Sequence, residues 1–221
     1  FVSSDEKSKE NVNFKLNINN NIYNVKSNLI GKYNMYNILC AITILHQMNI
    51  DINKILEVVN YVSAPPGRTD IVNYKNNLII IDYAHTPDAM ENVYNLVNEI
   101  SKGNIYTIFG CTGDRDRTKR PIMMNLATKN SKYVILTSDD LHDEDFNQII
   151  SDTINGIEKN NYEIIMDRGK AIEKGISLLK ENDILLILGK GHEEFIIIKD
   201  KKIPFNDKKE VEKLISEGIK I

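Results

Sequence analysis

The sequence is poor in the features that mark several common protein classes. Its two cysteines, Cys40 inside an apolar helical run and Cys111 beside glycines, supply no disulfide framework and fit a reducing, cytoplasmic setting. Basic excess is missing: 28 Lys+Arg against 31 Asp+Glu give a formal net charge of -3, so no nucleic-acid partner is expected and any cationic site must be local. No stretch approaches the roughly 20 uninterrupted apolar residues of a membrane span, so no membrane partner is expected either. The lead FVSSDEKSKENVN has neither the charged start nor the apolar centre of a signal peptide. It also lacks an initiator Met, from which a longer parent chain is expected. What is present is 42% hydrophobic residues over 221 positions, enough to fill one large core or two small ones.

After the polar lead, NFKLNI and NIYNVKS alternate apolar and polar residues around Asn19-Asn20, the pattern of a strand pair. Apolar residues at helical spacing then predict one helix from Asn34 to Met48 and a second from about Ile52 to Val62. Ser63-Ala64-Pro65-Pro66-Gly67 breaks the pattern, because two prolines fix the backbone and the glycine releases it, and a domain boundary is placed there. Beyond it, compact apolar runs at 78–82, 105–109, 133–137, 162–166 and 184–188 alternate with helix candidates starting near Pro87, Lys119, Asp145 and Asp167. Buried strands separated by helices specify an α/β fold, a Rossmann-like and mostly parallel sheet with flanking helices. FIIIKDKKIPF reads as a closing hairpin, and Asp207 opens a final helix.

Ligands of open α/β sheets bind beyond the carboxyl ends of the strands. Four such ends are rich in charge and glycine: Tyr83 to Asp88, Gly110 to Pro121, Ser138 to Asp145, and Gly189 to Glu194. The second carries Arg115, Arg117, Lys119 and Arg120 around a helix start, where the macrodipole disfavours cations. Either an anionic ligand resolves that conflict or Asp114 and Asp116 neutralise the cations in a solvated turn. The other elements are weak alone. His85 suits a surface histidine, Gly189-Lys190-Gly191 a tight turn, the 139–145 acids a solvated helix start, Asn34 and Asn37 a helix beginning, and Arg68 the surface. His192-Glu193-Glu194 lacks the second histidine of a zinc peptidase motif.

Taken in order, GKYNMYN, PPGRTDIV, IIDYAHTPDAM, FGCTGDRDRTKRPIM and LGKGHEEF resemble the Mur ligases of peptidoglycan precursor synthesis, closest to the branch that adds the third, usually diamino, residue. The resemblance implies ATP-dependent amide formation: a carboxylate of UDP-N-acetylmuramoyl-dipeptide is phosphorylated, and the amine of a diamino acid attacks the acyl phosphate, with Mg2+ offsetting phosphate charge. It implies that 1–62 is the end of the central ATP-binding domain, 63–67 a hinge and 68–221 the C-terminal domain. Carried over by motif, Asn37 would face the adenine, while Arg68, Asp82 and His85 would reach the nucleotide. Arg115 would bind a carboxylate of the incoming amino acid, and Gly189 and Glu193 its side-chain ammonium. Lys119 and Arg120 would add a favourable field.

The departures matter as much. No GxxxxGK[ST] or GTxGKT-like loop occurs, so the phosphate cradle is absent from this sequence and the chain is expected to be inactive by itself. Where diaminopimelate-adding enzymes typically carry Asp-Asn-Pro-Arg, this chain reads Asp139-Asp140-Leu141-His142. An acid replaces an amide and a histidine replaces an arginine, so Asp140 and His142 suggest lysine or ornithine over diaminopimelate. A folylpolyglutamate- or cyanophycin-type ligase, and a stand-alone non-catalytic binding module, are the alternatives.

Overall fold

The computed structural model describes residues 2–3 and 11–218, so most of the polar lead lies outside the described residues. The chain divides into two compact units, Phe1–Pro65 and Pro66–Ile221.

In the first unit, strands β1 (Val2–Ser3), β2 (Asn13–Ile18) and β3 (Asn21–Lys26) form an antiparallel sheet, turned at Asn19 and Asn20, both with positive φ. Helices α1 (Lys32–Gln47) and α2 (Ile52–Val59) pack Ile38, Ile42, Ile52, Ile55 and Val59 against Phe14, Leu16 and Val25. The second helix ends earlier than its apolar pattern suggests, with Tyr61 and Val62 exposed.

The second unit holds strands β4 (Asp70–Tyr74), β5 (Asn77–Asp82), β6 (Ile105–Phe109), β7 (Tyr133–Leu136), β8 (Tyr162–Ile164) and β9 (Ile184–Leu188). They form one sheet in the order β4-β5-β9-β6-β7-β8, parallel except for β4. The mostly parallel α/β expectation is met. Strand β4 is a feature that the sequence reading missed: DIVNY folds back on β5 through a turn at Lys75, where φ is 53°.

Helices α3 (Pro87–Ile100), α4 (Lys119–Asn130) and α5 (Phe146–Thr153) cover one face; α6 (Arg168–Leu178) and α7 (Asp207–Glu217) cover the other. The strands read as unbroken apolar runs because both faces are buried. Ile80, Leu186 and Phe109 enter the first core, while Ile79, Ile81, Leu185 and Ile187 enter the second. Thr86, Asp145, Asp167 and Asn206 cap their helices by accepting backbone N–H bonds in the first turn. A hairpin of β10 (Phe195–Ile198) and β11 (Lys201–Pro204) closes the unit. Among the described residues no helix is long and apolar enough to cross a membrane.

Candidate active site

Because β9 inserts between β5 and β6, the four polar loops issue from four adjacent strand ends, with the 189–194 loop between the 83–88 and 110–118 loops. Their contacts form two linked clusters, one around Tyr83 and one around Lys190.

Asp82, at the end of β5, is buried. Its Oδ2 accepts from Thr69 N–H at 2.7 Å and its Oδ1 from Ala84 N–H at 2.9 Å. Burial pushes its carboxyl up from the usual range despite those bonds. Its oxygens therefore fix the 67–69 turn to the strand end, which sets where Arg68 stands. The exposed Arg68 guanidinium lies 4.9 Å from the centre of the Tyr83 ring. His85 packs edge-on to the same ring at 4.7 Å, and its Nδ1 lies 2.7 Å from the Tyr83 carbonyl. With Nδ1 donating to that carbonyl, a neutral His85 ring presents Nε2 as an acceptor. His192 approaches the ring at 5.4 Å, and the Tyr83 hydroxyl donates to Glu193 at 3.4 Å. Tyr83, which the motif reading passed over, thus joins Arg68 and His85 to Glu193.

The second cluster centres on the fully buried Lys190. Its Nζ donates to Asp140 at 2.8 Å and to Glu193 at 2.7 Å, with Asp139 at 3.9 Å. Burial disfavours its charge, but the three carboxylates more than offset that and hold the ammonium above its ordinary value. Asp140 also accepts the Ile197 N–H at 2.8 Å, which ties this loop to the closing hairpin. Asp139, Asp140 and Glu193 have the mutual spacing of metal ligands, all within 4.8 Å. An ammonium lies among them, so these residues do not fit magnesium, and no other such group occurs among the described residues. Gly189 has φ of 112°, and a Cβ there would meet Asp139 Oδ2 at 2.7 Å, so only glycine lets this backbone lie against the carboxylates.

Arg115 is exposed and makes no hydrogen bond or ion pair with any described residue. Its neighbours behave otherwise, which corrects two sequence expectations. Arg120 is not a source of field at the rim: it is fully buried, donating to Glu144 at 2.9 and 2.6 Å and to Asp152 at 2.8 Å. Asp114 and Asp116 do not neutralise the cations either. Glu144 pairs with two of them, taking Arg117 at 2.9 Å as well as Arg120. Asp116 accepts from Thr118, while Asp114 exchanges bonds with the opposite loop through Glu144 and the Asp143 N–H. Lys119 reaches the His85 carbonyl at 3.1 Å.

Hydrogen bonding from Arg120 holds Glu144 well below its usual value, at about 2. A depressed carboxylate contributes stability above the unfolded value that is lost as pH falls through the folded one. The wild-type chain is therefore expected to lose on the order of 2 kcal/mol between about pH 4.5 and 2 from this group, discounted for its exposed Arg117 side. Urea unfolding across that window should show the loss, and Glu144→Gln should remove it; an unchanged slope would assign acid lability elsewhere.

His142 is partly buried and held by its backbone. With φ of 50°, its N–H donates to Ile197 and its carbonyl accepts from Lys199 at 2.7 Å. Asn37 lies in the first unit on the exposed side of α1, where its Nδ2 donates to Asn34 at 3.2 Å. Asn34 in turn donates to the Ile30 carbonyl. The structure thus groups Arg68, Asp82 and His85 about Tyr83, and Asp140, Gly189 and Glu193 about Lys190.

Residues 67–191 match the family described as Mur ligase, glutamate ligase domain. The chain belongs to the Mur ligase family. Among curated Mur ligases, UDP-N-acetylmuramoyl-L-alanyl-D-glutamate--2,6-diaminopimelate ligase of Clostridium botulinum is 44% identical over 193 residues, covering 86% of this chain and 40% of that protein. The protein of the same name from Aquifex aeolicus is 43% identical over 194 residues, with 87% and 40% covered. A solved structure bearing that ligase name aligns with a TM-score of 0.68 at 34% identity, over 93% of this chain and 42% of the other. The chain spans about two fifths of the length of the curated Mur ligases it matches.

Proposed function

We propose that this chain is the C-terminal part of an ATP-dependent ligase that joins a diamino acid to UDP-N-acetylmuramoyl-L-alanyl-D-glutamate through an acyl phosphate. The observation that carries this reading is the convergence of an arginine–histidine–tyrosine cluster and a carboxylate cluster on adjacent strand ends, linked by Tyr83 and Glu193. Arg68 and His85 would meet the nucleotide, with Asp82 fixing the turn that presents Arg68. Arg115 would take the α-carboxylate of the incoming amino acid, and Gly189 and Glu193 its side-chain ammonium. Residues 1–62 would be the end of the central domain, with Asn37 facing the adenine, and residues 63–67 would serve as the hinge. Magnesium, when bound, offsets phosphate charge; no residue of this chain is assigned to it.

The amino acid is taken to be 2,6-diaminopimelate, the substrate in the names of the relatives. This reverses the expectation of lysine or ornithine, and the reversal has a physical side. That expectation treated Asp140 as an open negative charge, whereas Asp140 is paired with Lys190 and the Ile197 N–H.

Phosphate release tests the proposal. With ATP, magnesium, UDP-muramoyl-dipeptide and 2,6-diaminopimelate, this chain is expected to release none above background. Joined to the N-terminal portion that its relatives span, it should turn over. In that longer chain Arg115→Ala should raise KM for the amino acid by about ten- to a hundredfold, the worth of a charge-assisted bond, and leave KM for ATP within about twofold. A change confined to ATP would put Arg115 on the nucleotide instead.

A further inference from the structure

We propose that Lys190 is a built-in counter-cation that fixes Asp140 and Glu193 in one arrangement and sets the charge of the amino-acid site, so that the site admits a diamino acid with a second carboxylate. The choice of amino acid rests on the function proposed above; the electrostatic part does not.

Lys190 is fully buried, and its three near oxygens come from two loops: Asp139 and Asp140 follow β7, while Glu193 follows β9. One ammonium therefore cross-links the two strand ends at the point where the carboxylates face the rim. Arg168 and Asp207 close on each other from α6 and α7, Tyr83 donates to Glu193 from the β5 loop, and Asp140 receives the Ile197 N–H from the hairpin. His192 lies exposed against the outer side of Tyr83. No other cation among the described residues lies within ion-pairing distance of Asp139, Asp140 or Glu193.

Without Lys190, three carboxylates would share a space under 4.8 Å across, with Asp140 nearly buried. Such a group keeps a proton, and it repels any ligand carboxylate while inviting a ligand ammonium to fill the gap. Lysine suits that altered site; a diamino acid with a distal carboxylate does not. The ammonium of Lys190 thus offsets the negative charge that stands here in place of an amide.

The first test uses this chain alone. In Lys190→Met the folded state should hold a proton that the unfolded state releases, so the stability of the variant relative to wild type falls as pH rises from 4 to 7. The gap in Tm is expected to widen by about 3 °C or more over that range; a gap independent of pH overturns the proposal. Should Lys190→Met not fold, the wild-type Nζ protons are read directly. Held among three carboxylates, they should exchange slowly enough at pH 7 to give an ammonium 15N signal, and its absence overturns the proposal.

The second test uses the chain joined to the N-terminal portion. There Lys190→Met should lower kcat/KM for 2,6-diaminopimelate relative to lysine by about ten- to a hundredfold, with KM for ATP unchanged. Equal losses on both amino acids overturn the specificity part. If wild type uses neither, the functional reading fails with it, while the pH result still decides the electrostatic part.

Discussion

Replacing Arg168 by methionine is expected to destabilise the second unit by about 3–5 kcal/mol, the cost of leaving a buried charge without its partner. Both members of the Arg168–Asp207 pair are fully buried, bonded at 2.7 and 2.8 Å. Arg168 also donates to the carbonyls of Ser138 at 3.2 Å and Leu188 at 3.0 Å, the residues immediately before Asp139 and Gly189. Methionine would orphan Asp207 and both carbonyls at once. Asp207→Asn should cost less, since an amide still accepts one bond. The double variant Arg168→Met plus Asp207→Leu should recover much of the loss, because no uncompensated charge remains. Urea unfolding of the three variants checks this. A double variant no better than Arg168→Met would mean that the carbonyl bonds, rather than the ion pair, hold the α6 and α7 starts against the rim.

Gly67→Ala should cost about 3 kcal/mol, combining backbone strain with overpacking. Gly67 has φ of 70°, and a Cβ there would stand 2.1 Å from the His192 nitrogen and 2.4 Å from the Gly191 carbonyl carbon. Those are backbone atoms, which cannot swing aside as a side chain would. The methyl must push the 67–69 turn away from the 189–193 loop, and the bond from Tyr83 N–H to the Gly67 carbonyl at 2.9 Å would loosen with it. Thermal unfolding should fall by roughly 6–12 °C, at about 2–4 °C per kcal/mol. Hydrogen exchange should quicken at Tyr83 first. Gly156→Ala is the control, since it has φ of 73° with nothing within 4 Å of the added carbon. It should show the strain alone, about 1 kcal/mol. Equal losses in the two variants would deny the close approach of the loops any energetic weight.

Much of this architecture was legible in the chain itself. Strand β6 spans IYTIF and β9 spans ILLIL as the apolar runs indicated, because a strand buried on both faces leaves no polar alternation to blur its limits. The starts of α3, α5, α6 and α7 fall at or one residue past Pro87, Asp145, Asp167 and Asp207, where the chain placed them, since a helix start is fixed by contacts across two or three residues. Strand β4 escaped notice because DIVNY is short and only partly buried, and its turn at Lys75 uses a positive φ without glycine.

The site divides along the same line. Sequence alone placed the polar residues at strand ends, because that requires only the alternation of strands and helices. It could not show that β9 lies between β5 and β6, nor which charges are partnered. Arg115, Arg117 and Arg120 look alike in the chain. In the fold the first is open, the second pairs with Glu144 at the surface, and the third is fully buried against Glu144 and Asp152. Asp140 and Lys190 are 50 positions apart, and Arg168 and Asp207 are 39 apart. Local sequence fixes backbone conformation over a few residues, whereas the partner of a buried charge is set by strand order, which joins distant segments. Only the tertiary structure could therefore separate the charges that a ligand can meet from those that the protein has already neutralised.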